Sequence, residues 1–378
     1  MISEIQDNIF YIVNVDWFFL SHRLQLALAM KNSGYDVYIL TKDSGRRKEI
    51  EENGLHFIDI DFDRSGKNPL KEFLIIREIL KHIKKHKPSI VHNVTIKPAL
   101  YGSIAAKIYG KPNLKIVNAI SGLGYNFIGD RQGPVQRVLK KLMNFAFNKN
   151  VNFIFQNPDD MALYKQLGYL QNNKFKLIKG AGVDSVEFQF HDPIEKDQLQ
   201  IVLTARMLKD KGVIEFTEAA KILKSEWNSK VLFRLIGDID TSNPAGLEKS
   251  ELRKLELPNY IVWEGYRKDI RAVLIDADIV CLPSYREGLP KSLIEAMAIG
   301  RPIVTTDVPG CRECVEENYN GFLVPSQNSI ELARALEVLL LSSELRLEMG
   351  KNSRKKMLKE LSLDKVISDT VAFYKEAQ

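Results

Sequence analysis

From end to end, short apolar runs alternate with longer stretches of helical spacing, and this alternation restricts the chain more than any other feature. It is the pattern of βαβ units and parallel sheets. In the first half it predicts strands at 9–15, 37–40, 55–60, 89–93, 114–119, 151–155 and 175–179, with helices at 21–33 and 70–87. Gly34 and Pro88 punctuate those two helices. The pattern begins again at 200–204 and continues through 231–236, 260–263, 279–282 and 302–305, with helices near 212–227, 269–276, 290–299 and 329–342. The expectation is an α/β protein of two doubly wound, parallel-sheet domains, 1–190 and 191–361, whose ligands sit in a cleft lined by strand carboxyl ends. Residues 185–198 read as a polar linker. A C-terminal helix at about 362–378 packs back across the junction.

Length agrees, since 378 residues suit two domains of ordinary size. Three cysteines, Cys281, Cys311 and Cys314, cannot build a disulfide framework. No apolar run approaches the ~20 residues of a membrane helix, and the polar N-terminus lacks the pattern of a signal peptide. A soluble or membrane-peripheral protein is expected.

Charge is distributed unevenly. Residues 1–190 carry 27 Lys/Arg against 18 Asp/Glu, whereas residues 191–378 carry 27 against 30. Between 67 and 149 there are 16 basic and three acidic side chains. Within that stretch Arg137, Lys140, Lys141 and Lys149 interleave with Val138, Leu139, Leu142, Met143 and Phe145, as in a helix lying on an anionic bilayer. Lys81, Lys84, Lys85 and Lys87 add a second cluster. Solvated helix faces are the plainer account of the same charges. No nucleic-acid-binding module accompanies them.

The segment from Ser284 to Ala296 carries the most chemistry. It follows an apolar strand, turns at Gly288, and places Pro290 where a helix begins. The N–H groups of Lys291, Ser292 and Leu293 then form a helix start suited to an anion. Glu287 and Glu295 flank that start, and carboxylates accept hydrogen bonds from sugar hydroxyls. A helix-dipole residue and an ordinary surface acid are the plainer reading of the pair. In the same domain Arg206 and Lys211 follow the strand at 200–204, a guanidinium fork and a point charge able to neutralise a diphosphate.

Arg206 with Lys211, Glu287 with Glu295, Pro309-Gly310-Cys311-Arg312-Glu313 and Gly321-Phe322-Leu323-Val324-Pro325 together resemble the retaining glycosyltransferases of GT-B architecture, glycosyltransferase family 4. In the first half, the run from Val91 to Pro98 and Ser121-Gly122-Leu123-Gly124-Tyr125 are similar to the bacterial branch that extends polyprenyl-diphosphate-linked sugars. The resemblance implies transfer of a hexose or N-acetylhexosamine from a nucleotide diphosphate, UDP by branch, to a lipid-linked sugar in surface glycan or O-antigen lipopolysaccharide assembly. It implies a metal-independent enzyme without a cofactor, cytoplasmic and peripheral to the inner face of the membrane.

Residue by residue, Arg206 and Lys211 would hold the diphosphate, Glu287 the transferred sugar, and Glu295 the ribose. The backbone N–H groups of Leu289, Lys291, Ser292 and Leu293 would receive the distal phosphate, with Gly288 and Pro290 in the same donor-binding turn. Asp16, His22, Lys97 and Gly124 are candidates for the acceptor side. One departure stands out: where many relatives carry paired glycines after the first strand, this chain reads Asn14-Val15-Asp16-Trp17. His92, inside a strand, reads as a core residue. Asp238-Ile239-Asp240 reads as a loop rather than a metal clip. Two other readings remain open: a transferase with a soluble acceptor or a nucleotide-sugar epimerase, and a non-catalytic module that binds anionic lipid or polymer.

Overall fold

The computed structural model describes residues 7–62, 68–122, 134–241 and 243–377. The chain forms two compact units, Met1–Ala181 with Val366–Gln378, and Gly182–Lys365.

In the first unit the strands are β1 (Asn8–Ile12), β2 (Asp36–Thr41), β3 (His56–Asp59), β4 (Ile90–Val94), β5 (Lys115–Ile120), β6 (Asn152–Phe155) and β7 (Phe175–Leu177). Between them run α1 (Asp16–His22), α2 (Leu24–Asn32), α3 (Arg47–Glu52), α4 (Pro69–His86), α5 (Ile96–Tyr109), α6 (Pro134–Phe147) and α7 (Pro158–Gln166). All seven strands are parallel, in the order β3-β2-β1-β4-β5-β6-β7. The chain winds one way from β1 and the other way from β4, which makes β1/β4 the topological switch point.

Both faces of this sheet are covered, so its strands read as continuous apolar runs. Side chains alternate between two cores: Phe10 and Ile12 point to one, Ile9, Tyr11 and Val13 to the other. The first core is closed by α4, α5 and α6, through Ile75, Ile79, Ile104, Met143 and Phe147. The helix expected at 21–33 is broken. Arg23 leaves helical geometry (φ −131°, ψ −10°), so α1 ends at His22 and α2 starts at Leu24.

In the second unit β8 (Leu199–Thr204), β9 (Val231–Ile236), β10 (Ile261–Gly265), β11 (Ile279–Leu282), β12 (Ile303–Thr306) and β13 (Gly321–Val324) form a parallel sheet in the order β10-β9-β8-β11-β12-β13. Its switch point is β8/β11. The helices are α8 (Val213–Trp227), α9 (Lys249–Leu255), α10 (Ile270–Asp276), α11 (Lys291–Ile299), α12 (Ser329–Leu341) and α13 (Ser343–Glu360). The final helix, α14 (Leu363–Glu376), returns to the first unit, where Val366, Phe373 and Tyr374 complete the core beneath β4 and β5.

The division falls at 181/182, earlier than the expected 190/191. Residues 185–198 are polar, yet their backbone is anchored in the second unit. Val183 N–H donates to Leu361 O (3.2 Å), and Phe188 is buried in the core. Arg354 donates to the carbonyls of Ser185 and Phe188, and the buried Arg301 to that of His191.

Candidate functional site

The loops leaving β8 and β11, adjacent strands whose connections diverge, hold most of the residues singled out above. Arg206 lies two residues past β8. The chain then makes a short 3₁₀ turn, Lys209–Lys211, and bends at Gly212 with φ +73°. Only glycine fits there, because a Cβ would run into the Pro283 carbonyl of the β11 loop. That close approach is reinforced by Ser284 Oγ and Tyr285 N–H, both donating to Asp210 O at 2.9 Å. The Tyr285 hydroxyl donates to Glu215 on α8 (2.7 Å). The two loops are thus one stitched structure.

Across this stitch Lys211 Nζ meets Glu287 Oε1 in an ion pair, with side-chain exposures of 19% and 12%. Glu287 is fixed from its other side as well. Its N–H donates to Pro309 O (3.0 Å), and Gly310, at φ +82°, lies where an added Cβ would come 2.5 Å from Glu287 O. The turn Pro309-Gly310 therefore serves as the seat of the Glu287 backbone. Beside it Cys311 is buried, and burial together with the nearby Glu287 charge pushes its thiol up to about 12.

Arg206 pairs with Asp240 on the β9 loop while keeping 37% of its side chain exposed. That loop is drawn against β8 by Gly237, whose missing side chain admits the Ala205 carbonyl. Trp263 Nε1–H donates to Gly237 O (2.9 Å). Sequence reasoning treated the 238–240 run only as a loop. The role of Asp240 as the partner of Arg206 was outside its reach, because 34 residues separate the two.

The helix start differs slightly from expectation. Pro290 is the N-cap of α11 rather than its first residue. The N–H of Leu293 is not presented outward; it donates to Pro290 O (3.1 Å) in a tight first turn. Ser292 remains as a first-turn residue behind the Gly288-Leu289 bend. Glu295, one turn further on, lies 3.4 Å from Lys291 Nζ and is 12% exposed. Burial raises its carboxyl above the ordinary range, Lys291 opposes that shift, and the charge of Glu187 adds to it.

The four acceptor-side candidates fare differently. Asp16 is fully buried. It accepts hydrogen bonds from the N–H groups of Trp17 (2.6 Å), Ser44 (2.7 Å) and Arg46 (3.0 Å) and from the Ser44 hydroxyl, so it clamps the loop after β2. His22 ends α1 instead of starting a helix; its ring stacks on Phe18 and Nδ1 lies 2.6 Å from Ser21 Oγ. Lys97 forms a half-sheltered ion pair with Glu72 of α4 (3.0 Å). Gly124 lies outside the described residues.

At the β1/β4 switch point the structure adds a pair that sequence reading did not select. Asn14 Nδ2 donates to Thr95 Oγ1 (2.7 Å), and Thr95 holds φ +72°, a region costly for a β-branched residue. The signal was available in principle, since Asn14 lies two residues past β1 and Thr95 directly follows β4. Buried His92 does belong to a core. Its Nδ1 meets the Tyr374 hydroxyl of α14 at 2.7 Å. No group of three potential metal ligands occurs among the described residues.

Residues 184–356 match the family described as glycosyl transferases group 1, and residues 8–157 match glycosyl transferase 4-like. The N,N'-diacetylbacillosaminyl-diphospho-undecaprenol alpha-1,3-N-acetylgalactosaminyltransferase of Campylobacter jejuni is 30% identical, over 89% of this chain and 92% of its own. A UDP-Gal:alpha-D-GlcNAc-diphosphoundecaprenol alpha-1,3-galactosyltransferase of Escherichia coli is 25% identical over 91% and 90%. Among solved structures, a glycosyltransferase from Rickettsia africae superposes with a TM-score of 0.77 over 98% of both chains at 21% identity, a likeness of fold. With two parallel-sheet Rossmann-like units, charged loops at the second switch point and full-length relatives of this kind, the chain belongs to the group 1 glycosyltransferases of GT-B architecture.

Proposed function

We propose that this glycosyltransferase moves a hexose or N-acetylhexosamine, with retention and without a metal ion, from a UDP-linked donor to a polyprenyl-diphosphate-linked sugar. One observation carries the donor half of this reading: the Lys211–Glu287 pair bridges the two loops of the β8/β11 switch point, and Arg206 belongs to the first of those loops. A departing nucleoside diphosphate gains negative charge in the transition state. Fixed cations aimed at that charge lower the barrier because they need no reorganisation. Arg206 offers a fork for bidentate phosphate contact, and Lys211 a point charge. Glu287, once its lysine turns to phosphate, presents a carboxylate to sugar hydroxyls. Glu295 accepts a hydrogen bond from the ribose. The acceptor hydroxyl attacks from the leaving-group face, and a phosphate oxygen takes its proton.

The lipid-linked acceptor is supported by the named substrates of the Campylobacter and Escherichia relatives. It is further supported by α6, where Val138, Leu142 and Phe145 are exposed (57%, 40% and 48%) among exposed Arg137, Lys140 and Lys141. An amphipathic basic face of this kind suits an anionic membrane surface, and peripheral attachment at the cytoplasmic leaflet follows. No helix among the described residues is long and apolar enough to cross a membrane.

Thermal unfolding across UDP-, GDP- and dTDP-sugars tests the donor: UDP-sugars alone should raise the melting temperature. A polyprenyl-diphosphate-linked acceptor should then yield product whose anomeric configuration matches the donor, in EDTA as without it. Inverted product, or activity abolished by EDTA and restored by a divalent cation, would remove those two parts of the proposal.

A further inference from the structure

Under the first unit's sheet, on the side covered by α2 and α14, lies a cavity of about 10 Å³ whose wall includes Arg23, His92, Gly180, Ala181 and Thr370. That space is on the scale of a single water or a monatomic ion, far below that of a sugar. Two side chains of its wall are almost wholly buried, Arg23 at 5% exposure and His92 at 1%. Arg23 Nε and His92 Nε2 are buried nitrogens with no hydrogen-bond partner among the described residues.

The chemistry of the wall is one-sided. Arg23 uses Nη1 on the His22 carbonyl (3.0 Å), and its Nε–H remains a donor. Burial first, and the Arg23 charge second, hold His92 neutral. The Tyr374 phenol keeps its proton because burial raises it. His92 Nδ1 lies 2.7 Å from the Tyr374 hydroxyl, which lies 3.4 Å from that of Tyr11; in the tautomer whose Nδ1 accepts from Tyr374, the imidazole carries its proton on Nε2. In that tautomer the cavity wall holds two N–H donors and one positive charge, and no carboxylate lines it among the described residues. A buried guanidinium without a counter-charge is unfavourable.

We infer that this cavity binds one monatomic anion, chloride under ordinary conditions, held between Arg23 and His92. The site is separate from the switch-point residues of the second unit and does not depend on the function proposed for them. Because Val366, Ile367 and Thr370 of α14 form part of the wall, the anion ties the C-terminal helix to the first unit's sheet.

The test is thermal unfolding of the full chain in sodium chloride and in sodium gluconate at equal ionic strength. An anion bound only by the native state raises stability logarithmically with concentration. The wild type should gain about 3 °C for each tenfold rise in chloride above its dissociation constant. Arg23→Met should lose that response. Crystals of the wild type grown in bromide provide an arm that needs no variant, with an anomalous peak expected between Arg23 Nε and His92 Nε2. Equal melting temperatures of the wild type in the two salts, an undiminished chloride response in Arg23→Met, or no bromide peak at the cavity would each overturn the inference and leave water as the occupant.

Discussion

The two units share a winding but not the chemistry of their switch points. At β8/β11 opposite charges meet across the junction itself: Lys211 comes from one loop and Glu287 from the other, and Arg206 keeps over a third of its side chain exposed. At β1/β4 the junction is bridged by a neutral pair, Asn14 and Thr95. The charged residues nearby face elsewhere, Asp16 to the loop after β2 and Lys97 to Glu72 on α4. The same topology has thus been loaded with charge in one unit and with hydrogen-bonding groups in the other. A diphosphate leaving group needs the first kind of crevice, and an incoming sugar hydroxyl can use the second.

The largest effects should come from removing the charged junction. Lys211→Ala and Glu287→Ala should each lower kcat by about 10²–10³, the scale for losing a preorganised electrostatic contact. Stability should suffer as well, because each leaves its partner sheltered and unpaired. Lys211→Met with Glu287→Gln removes both charges and should recover the melting temperature without recovering turnover. If the double variant regains activity along with stability, the pair is a structural strut and the contrast between the units loses its meaning.

Next in size is the seat of Glu287. Gly310→Ala forces a side chain into a left-handed conformation and against the Glu287 carbonyl. It should cost about 1–3 kcal/mol in denaturant unfolding and raise the donor KM. The equivalent change at Gly34 (φ +91°), with open space around its Cβ position, should cost less and leave the donor KM unchanged.

The basic face of α6 offers a comparison within the first unit. Lys140→Gln with Lys141→Gln should weaken binding to phosphatidylserine-containing vesicles about 30-fold, taking about 1 kcal/mol for each lysine. Turnover of a short-chain, water-soluble acceptor should not change. Vesicle binding indifferent to both lysines would return the basic excess to solvated helix faces.

How much of this was legible depended on distance along the chain. Alternation of apolar runs located twelve of the thirteen strands among the described residues, because each buried strand writes its own short pattern. The exception, β13, begins at Gly321, where a Cβ would collide with the Ile303 carbonyl; that strand was seen only as a motif. Local charge placed Arg206, Lys211, Glu287 and Glu295 in one unit. The partners that decide their behaviour lie far off in sequence, as Asp240 does from Arg206, and no spacing rule announces them. The clamp that Asp16 makes was hidden for the same reason: its donors sit at 44 and 46. The linker's polarity gave no sign of its anchorage, because the groups that hold its backbone carbonyls, Arg301 and Arg354, lie more than 100 residues away.

The smallest expected effect is the sharpest probe of the neutral junction. Thr95 at φ +72° carries a backbone cost of about 1–3 kcal/mol that glycine would relieve. Glycine gives up the hydroxyl that Asn14 donates to, about 0.5–1.5 kcal/mol, and adds freedom to the unfolded chain, about 0.4–1 kcal/mol. These terms oppose one another, so Thr95→Gly should unfold within about 1 kcal/mol of the wild type. A strained residue that can be replaced at no cost in stability is one whose conformation answers to something other than folding. If the β1/β4 junction receives the acceptor, the same variant should raise the acceptor KM several-fold while the donor KM stays fixed. Unchanged kinetics for both substrates would make Thr95 a plain helix cap and leave the first switch point without a role in the reaction.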